Sequence, residues 1–181
     1  ELRCLGPNTL TGIFDDPEAL YHAAQLANRT HNVFSSLNRP TSRPATNSLG
    51  TGGGALGNAD IDRITRLPFD FDPARPAGTN STSAELEAGR VQAYALMSFL
   101  NSWGWPEPLI ACSGNGYHLM YRVKLPADQA TADALRIIYL ALQSRYTNSQ
   151  VIFDASVRNA ARIFRLYGTT NRKGPDSADR P

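Results

Sequence analysis

Apolar residues recur at helical spacing in three stretches of the chain, and strand-length runs lie between them. Leu20, Ala23, Ala24 and Ala27 share one face of a helix predicted over residues 16–29, and Asp15, Asp16 and Glu18 sit at its start, where the helix dipole favours negative charge. Residues 31–37 read as a strand that Asn38-Arg39-Pro40 ends, because proline cannot extend the ladder and restricts the residue before it. Residues 40–58, rich in Gly, Pro, Ser and Thr, form a long loop of the kind that is usually functional or mobile.

The next strand is predicted over 67–72. Its alternation sends Phe69 and Phe71 to one face and Asp70 and Asp72 to the other, and Pro73 stops it. Thr82 and Glu85 have capping-box spacing and open a helix in which Leu86, Tyr94, Met97 and Leu100 trace an apolar face up to Trp103 and Gly104. Residues 109–112 and 117–123 read as strands joined by the turn Ser113-Gly114-Asn115-Gly116, whose Asn-Gly pair is a hairpin signal, and His118 opens the second of them. Asp128 caps a further helix with Leu135, Ile138, Tyr139 and Leu142 toward the core, and 151–154 is a short strand. This mixture predicts an α+β fold without internal repeats.

The chain has 181 residues, 41% of them apolar, enough for one sizeable core or two small lobes. A charged fraction of 19% and a net charge of +2 argue against disorder, and no apolar run approaches the roughly 20 residues that span a bilayer. Cys4 and Cys112 have no metal-ligand spacing, so neither a disulfide framework nor a zinc site is expected, and an intracellular setting fits. The chain opens at Glu1 with no charged-then-apolar leader, the pattern of an excised domain rather than a secretory precursor. Residues 175–181 read as a polar tail or the start of a linker.

Chemistry concentrates in four places. Asp70 and Asp72, two apart on a strand, present both carboxylates to one side, an arrangement suited to hard cations because close carboxylates repel unless a cation lies between them. The run Val151-Ile152-Phe153 delivers Asp154 at a strand end. The turn from Ser113 to His118 brings glycines, a hydroxyl and an imidazole together, so that backbone N–H groups can approach an anion. Arg158, Arg162, Arg165, Arg172 and Lys173 surround a short apolar segment and suit phosphate contacts. Taken singly, each has a plainer reading: a solvated sheet face, a helix cap at Asp154, a hairpin turn, a solvated basic face. With arginine so dominant among the cations, Lys124 and Lys173 being the only lysines, a base-composition bias in the gene is a further explanation of the arginines.

Together, Phe69-Asp70-Phe71-Asp72, Ser113-Gly114-Asn115-Gly116-Tyr117-His118 and Ile152-Phe153-Asp154 resemble, in order and character, the three catalytic motifs of the archaeo-eukaryotic primase superfamily. Asn38-Arg39-Pro40 before the Gly-rich loop, and the series Asn159, Arg162, Arg165, Gly168-Thr169 and Lys173-Gly174, look like primase-polymerases of phages, plasmids and bacterial mobile elements. The resemblance covers residues 32–174, within a catalytic domain placed at 1–174. It implies an RRM-like antiparallel catalytic sheet flanked by helices, beside a smaller N-terminal α/β lobe, with the site in the cleft. It further implies that Asp70, Asp72 and Asp154 hold two Mg²⁺ or Mn²⁺ ions. Ser113 and His118, within the turn formed with Gly114, Asn115 and Gly116, would meet the phosphates of an incoming NTP or dNTP, assisted by Arg162, Arg165 and Lys173.

The implied partners are a single-stranded DNA template and primer, with a helicase or accessory region in a longer protein and no membrane. The implied setting is the cytoplasm of a bacterium, phage- or plasmid-encoded genes included. Many relatives carry a zinc-binding element whose ligands this chain lacks, so no zinc is expected. A catalytically silent single-strand-binding module and an end-joining repair polymerase are the competing readings. A rolling-circle nuclease needs a clustered histidine pair, and His22, His31 and His118 are dispersed.

Overall fold

Caps and breakers set most boundaries. In chain order the elements are β1 (Leu2–Leu5), β2 (Thr9–Gly12), α1 (Pro17–Ala27), β3 (Asn32–Ser36), β4 (Arg63–Pro73), α2 (Ser83–Ser102), β5 (Leu109–Cys112), β6 (Tyr117–Pro126), α3 (Gln129–Tyr146), β7 (Val151–Phe153) and β8 (Ile163–Arg165). The structure, a computed structural model, describes residues 1–175, Ser177 and Ala178; most of the tail expected at 175–181 lies outside the described residues. Asp16 accepts the N–H of Glu18 to start α1, and Thr82 and Glu85 form the expected reciprocal capping box on α2.

The fold is α+β, with two four-stranded antiparallel sheets. The chain divides into two compact units: the first comprises Glu1–Thr65, Leu125–Asp128 and Asn159–Arg172, and the second Arg66–Lys124, Gln129–Arg158 and the residues from Lys173 on. Among the described residues no helix is long and apolar enough to cross a membrane.

The first unit holds the sheet β2-β1-β3-β8. Leu2, Cys4 and Val33 meet Ala24 and Ala27 of α1 in its core, and Leu10, Phe14 and Leu166 pack around them. Burial pushes the Cys4 thiol up to about 11, so it stays protonated and inert, and neither cysteine is in a disulfide.

The second unit holds the sheet β5-β6-β4-β7. Its core is aromatic: the Phe69 ring lies 5.3 Å from Tyr139, 5.7 Å from Tyr121 and 6.0 Å from Phe153, and Phe71 lies 5.4 Å from Phe153. Each such ring contributes roughly 1.5–3 kcal/mol through burial, and the tilted and edge-on pairs add to that. This anchoring of one face of β4 fixes the direction of the other.

Two expected helix faces are rotated from the prediction. On α3 the buried line is Leu135, Tyr139, Leu142 and Tyr146, which leaves Ile138 48% exposed. On α2 the buried line is Gly89, Ala93, Leu96 and Leu100, and Tyr94 is 38% exposed. The reason on α2 is proximity: a Cβ at Gly89 would stand 3.4 Å from the carbonyl oxygen of Phe71, so small residues face the strand. The strand expected over 67–72 starts earlier, at Arg63, and β1, β2 and β8 were not anticipated.

Tyr139 also donates its hydroxyl hydrogen to the backbone carbonyl of buried Pro68. Tyr139→Phe keeps the ring but removes that bond, so a loss of about 1 kcal/mol is expected in urea unfolding, with an unchanged m-value.

Candidate active site

Because the aromatic face of β4 is buried, Asp70 and Asp72 emerge together on the opposite face, with side chains 16% and 40% exposed. The β4–β7 register pairs Phe71 with Phe153 and Asp72 with Ile152. One step further, Asp154 donates its N–H to the carbonyl of Asp70 at 3.0 Å, so the third acid stands beside the first across the strand pair. Its Oδ1 accepts the N–H of Ser156 at 2.7 Å and caps the short 3-10 turn Ala155–Arg158. The capping role is therefore realised, whatever else Asp154 does.

His118 pairs with Ala111 of β5 and is buried. Its Nε2 lies 3.3 Å from Asp70 Oδ1, outside hydrogen-bond geometry, and that buried oxygen has no hydrogen-bond donor among the described residues. Such an orphaned acceptor costs about 1–3 kcal/mol unless something binds it. The Asp72 carboxyl is raised above the usual carboxylate range, first by burial and then by the charge of Asp70; Lys173, Arg75 and His118 oppose the rise. Among the described residues no group of three or more His, Cys, Asp or Glu side chains forms a ready-made metal cluster.

The Ser113–Gly116 turn sits against this acid pair. A Cβ at Gly116 would lie 2.7 Å from the Phe71 carbonyl oxygen and 2.9 Å from Asp72 Oδ1, so only glycine permits the approach. The turn's amides are used locally: Ser113 N–H donates to Gly116 C=O (2.9 Å), Asn115 N–H to Ser113 Oγ (3.3 Å) and Gly114 N–H to Cys112 Sγ (3.4 Å). Three of the four turn amides are thus bonded within the hairpin in this conformation. Asn115 is buried, its Oδ1 accepting the N–H of Ser81 at 2.6 Å.

Lys173 is exposed, and its charge reaches Asp72. The backbone of the next residue, Gly174, lies so close to Gly78 and Thr79 that any Cβ would clash. Asp70, Asp72, His118, Asp154, the turn and Lys173 therefore all belong to the second unit.

Arg162 and Arg165 belong to the first. Arg162 Nε donates to Asn159 Oδ1 at 2.7 Å. Arg165 is buried: Nη1 donates to the Thr170 carbonyl (3.0 Å), Nη2 to Asn32 Oδ1 (3.0 Å) and Asn171 Oδ1 (2.9 Å), and the guanidinium lies 4.8 Å from the Phe34 ring centroid. Burial and then Arg172 push its pKa down to about 10. These three bonds hold residues 170–171 to β3.

The sequence reading passed over Arg75, a half-buried arginine 3.9 Å from Asp72 Oδ1. Its only signal was its position two residues past Pro73 and directly before Pro76.

No protein-family profile matches this sequence, and no curated protein matches it either. Among solved structures, the polymerase domain of Mycobacterium tuberculosis Ligase D in complex with DNA is similar over 78% of this chain and 48% of that one, at 16% identity and a TM-score of 0.47. The chain spans about half the length of that structure.

Proposed function

We propose that the second unit is the catalytic unit of a template-directed nucleotidyltransferase of the archaeo-eukaryotic primase kind, acting on single-stranded DNA template and primer. The observation that carries this reading is the acid pair: two carboxylates on one strand face, one with a buried, donor-less oxygen, a histidine beside it and a third acid on the neighbouring strand. These donors fit Mg²⁺ or Mn²⁺, which take hard oxygen ligands; Mg²⁺ in particular is usually held by one or two carboxylates together with substrate phosphates, so a ready-made protein cage is not required.

When bound, the two ions would polarise the phosphates and favour the ionised primer hydroxyl. Asp70 and Asp72 would hold them, with Asp154 completing the set through the oxygen not used on Ser156. In the transfer the primer 3′ oxygen bonds to the α-phosphorus of the nucleotide and pyrophosphate leaves. The chain's own contribution is positioning and charge: His118 and Ser113 meet the phosphates beside the acids, and Lys173 neutralises charge next to Asp72.

A catalytically silent single-strand-binding module is the second reading. It is favoured by the locally bonded amides of the turn and by the capping bond of Asp154. Extension of a labelled primer on a single-stranded template, and synthesis without primer, separate the two. Products are expected with Mn²⁺ or Mg²⁺ and not with chelator; no product with either ion, alongside intact salt-sensitive strand binding, establishes the silent module instead.

A further inference from the structure

Arg75 lies outside every motif the sequence singles out, yet its guanidinium reaches Asp72, the Ser113–Gly116 turn and the backbone at Thr79. Its side chain is 8% exposed. Nε donates to the Thr79 carbonyl at 3.1 Å, and Nη1 donates to the carbonyls of Asn115 at 3.1 Å and Pro73 at 3.3 Å.

The first two carbonyls lead to different elements near Asp72. Asn115 is a buried residue of the Ser113–Gly116 turn, and Ser81 fastens the same carbonyl through its hydroxyl at 2.9 Å. Thr79, with Gly78, is the surface on which the Gly174 backbone rests, directly after Lys173. The contact with Asp72 is the weaker part: at 3.9 Å to a partly exposed carboxylate, an ion pair contributes little. The part-buried, charge-assisted bonds to carbonyls are the stronger, and a planar fork serves carbonyls in fixed directions as an ammonium does not.

We infer that Arg75 is a positioning residue that holds the Ser113–Gly116 turn and the Lys173 segment beside Asp72, and so shapes the seat of the incoming nucleotide's phosphates. The inference rests on the nucleotidyl-transfer reading for its last clause only. Arg75 acts through these elements rather than on the reacting atoms.

The test compares the intact chain with Arg75→Lys and Arg75→Gln by amide hydrogen exchange and by primer-extension kinetics. Peptides covering residues 113–116 and 172–175 are expected to exchange about tenfold faster in both variants while α1 keeps its protection, and the nucleotide KM is expected to rise about tenfold with the primer–template KM unchanged. Faster exchange at those peptides, with no synthesis by any of the three proteins, retains the positioning role and removes the nucleotidyl-transfer reading. Unchanged exchange at 113–116 overturns the inference. Protection lost throughout α2 and α3, with no selective rise in nucleotide KM even for Arg75→Lys, also overturns it, because that pattern marks general stabilisation.

Discussion

The double change Asp70→Asn and Asp72→Asn leaves a folded protein that adds nucleotides about 10³-fold more slowly, the loss expected when several kcal/mol of metal-borne stabilisation disappears. With chelator present the same variant melts above the parent at neutral pH. The sign follows from Asp72, whose carboxyl is raised by burial and by Asp70. Below the ordinary aspartate range it is protonated in both folded and unfolded chains and costs nothing. As pH climbs from there through its raised folded value, the unfolded chain ionises more readily than the folded one, and stability falls.

Above that window the ionised pair is a standing burden, which asparagine removes. With Asp72 40% exposed, solvent screening limits the gain to about 0.5 kcal/mol. Divalent metal inverts the ranking, because it binds and stabilises only the parent. Thermal melts with chelator, with Mn²⁺, and near pH 3, where the difference fades, check each part; a variant that still incorporates nucleotides removes the acid pair from the mechanism.

Gly116→Ala carries the second large effect. The added methyl meets the Phe71 carbonyl oxygen and the Asp72 carboxylate. The former cannot yield, since it belongs to the strand backbone above the aromatic core. The turn must therefore lift, at a cost of about 1–3 kcal/mol, and the shift away from the acids is expected to lower incorporation about 10²-fold. Gly104→Ala is the control: φ is +80° at the end of α2 but nothing stands within 4 Å, so stability drops and activity per folded molecule holds. Equal activities per folded molecule in the two variants would separate the turn from the chemistry.

What the sequence made legible was local. The alternation of Phe69 to Asp72, the Thr82–Glu85 capping box, the acidic start of α1 and the hairpin around Ser113–Gly116 each specify structure within a few residues, and each is present. β1 and β8 escaped because their partner is β3, some thirty residues from one and over a hundred from the other, and runs of four and three residues carry no period of their own. The first half of the α2 face escaped because Gly89 and Ala93 are small, which at Gly89 lets the helix approach β4, a property hydrophobicity does not encode.

The candidate site divides in the same way. The acids, His118 and the turn follow from strand alternation, whereas the arginines do not: Arg75 and Arg165 are alike in sequence and distinguished by the carbonyls and amides each one reaches. Asp154 could be read as a ligand or a cap, and the cap bond is there without deciding the ligand role.

The pairing of β3 with β8 also bears on how the chain is made. Arg165 bonds Asn32 across a sequence separation of 133, so the outer edge of β3 leaves the ribosome long before the strand that covers it. During that interval the nascent N-terminal segment presents an open row of backbone donors and acceptors, a surface prone to pairing with the wrong neighbour. Late closure of this kind raises contact order and slows folding, and it makes a shortened product that stops before Ile163 a poor starting point for work on the first unit alone.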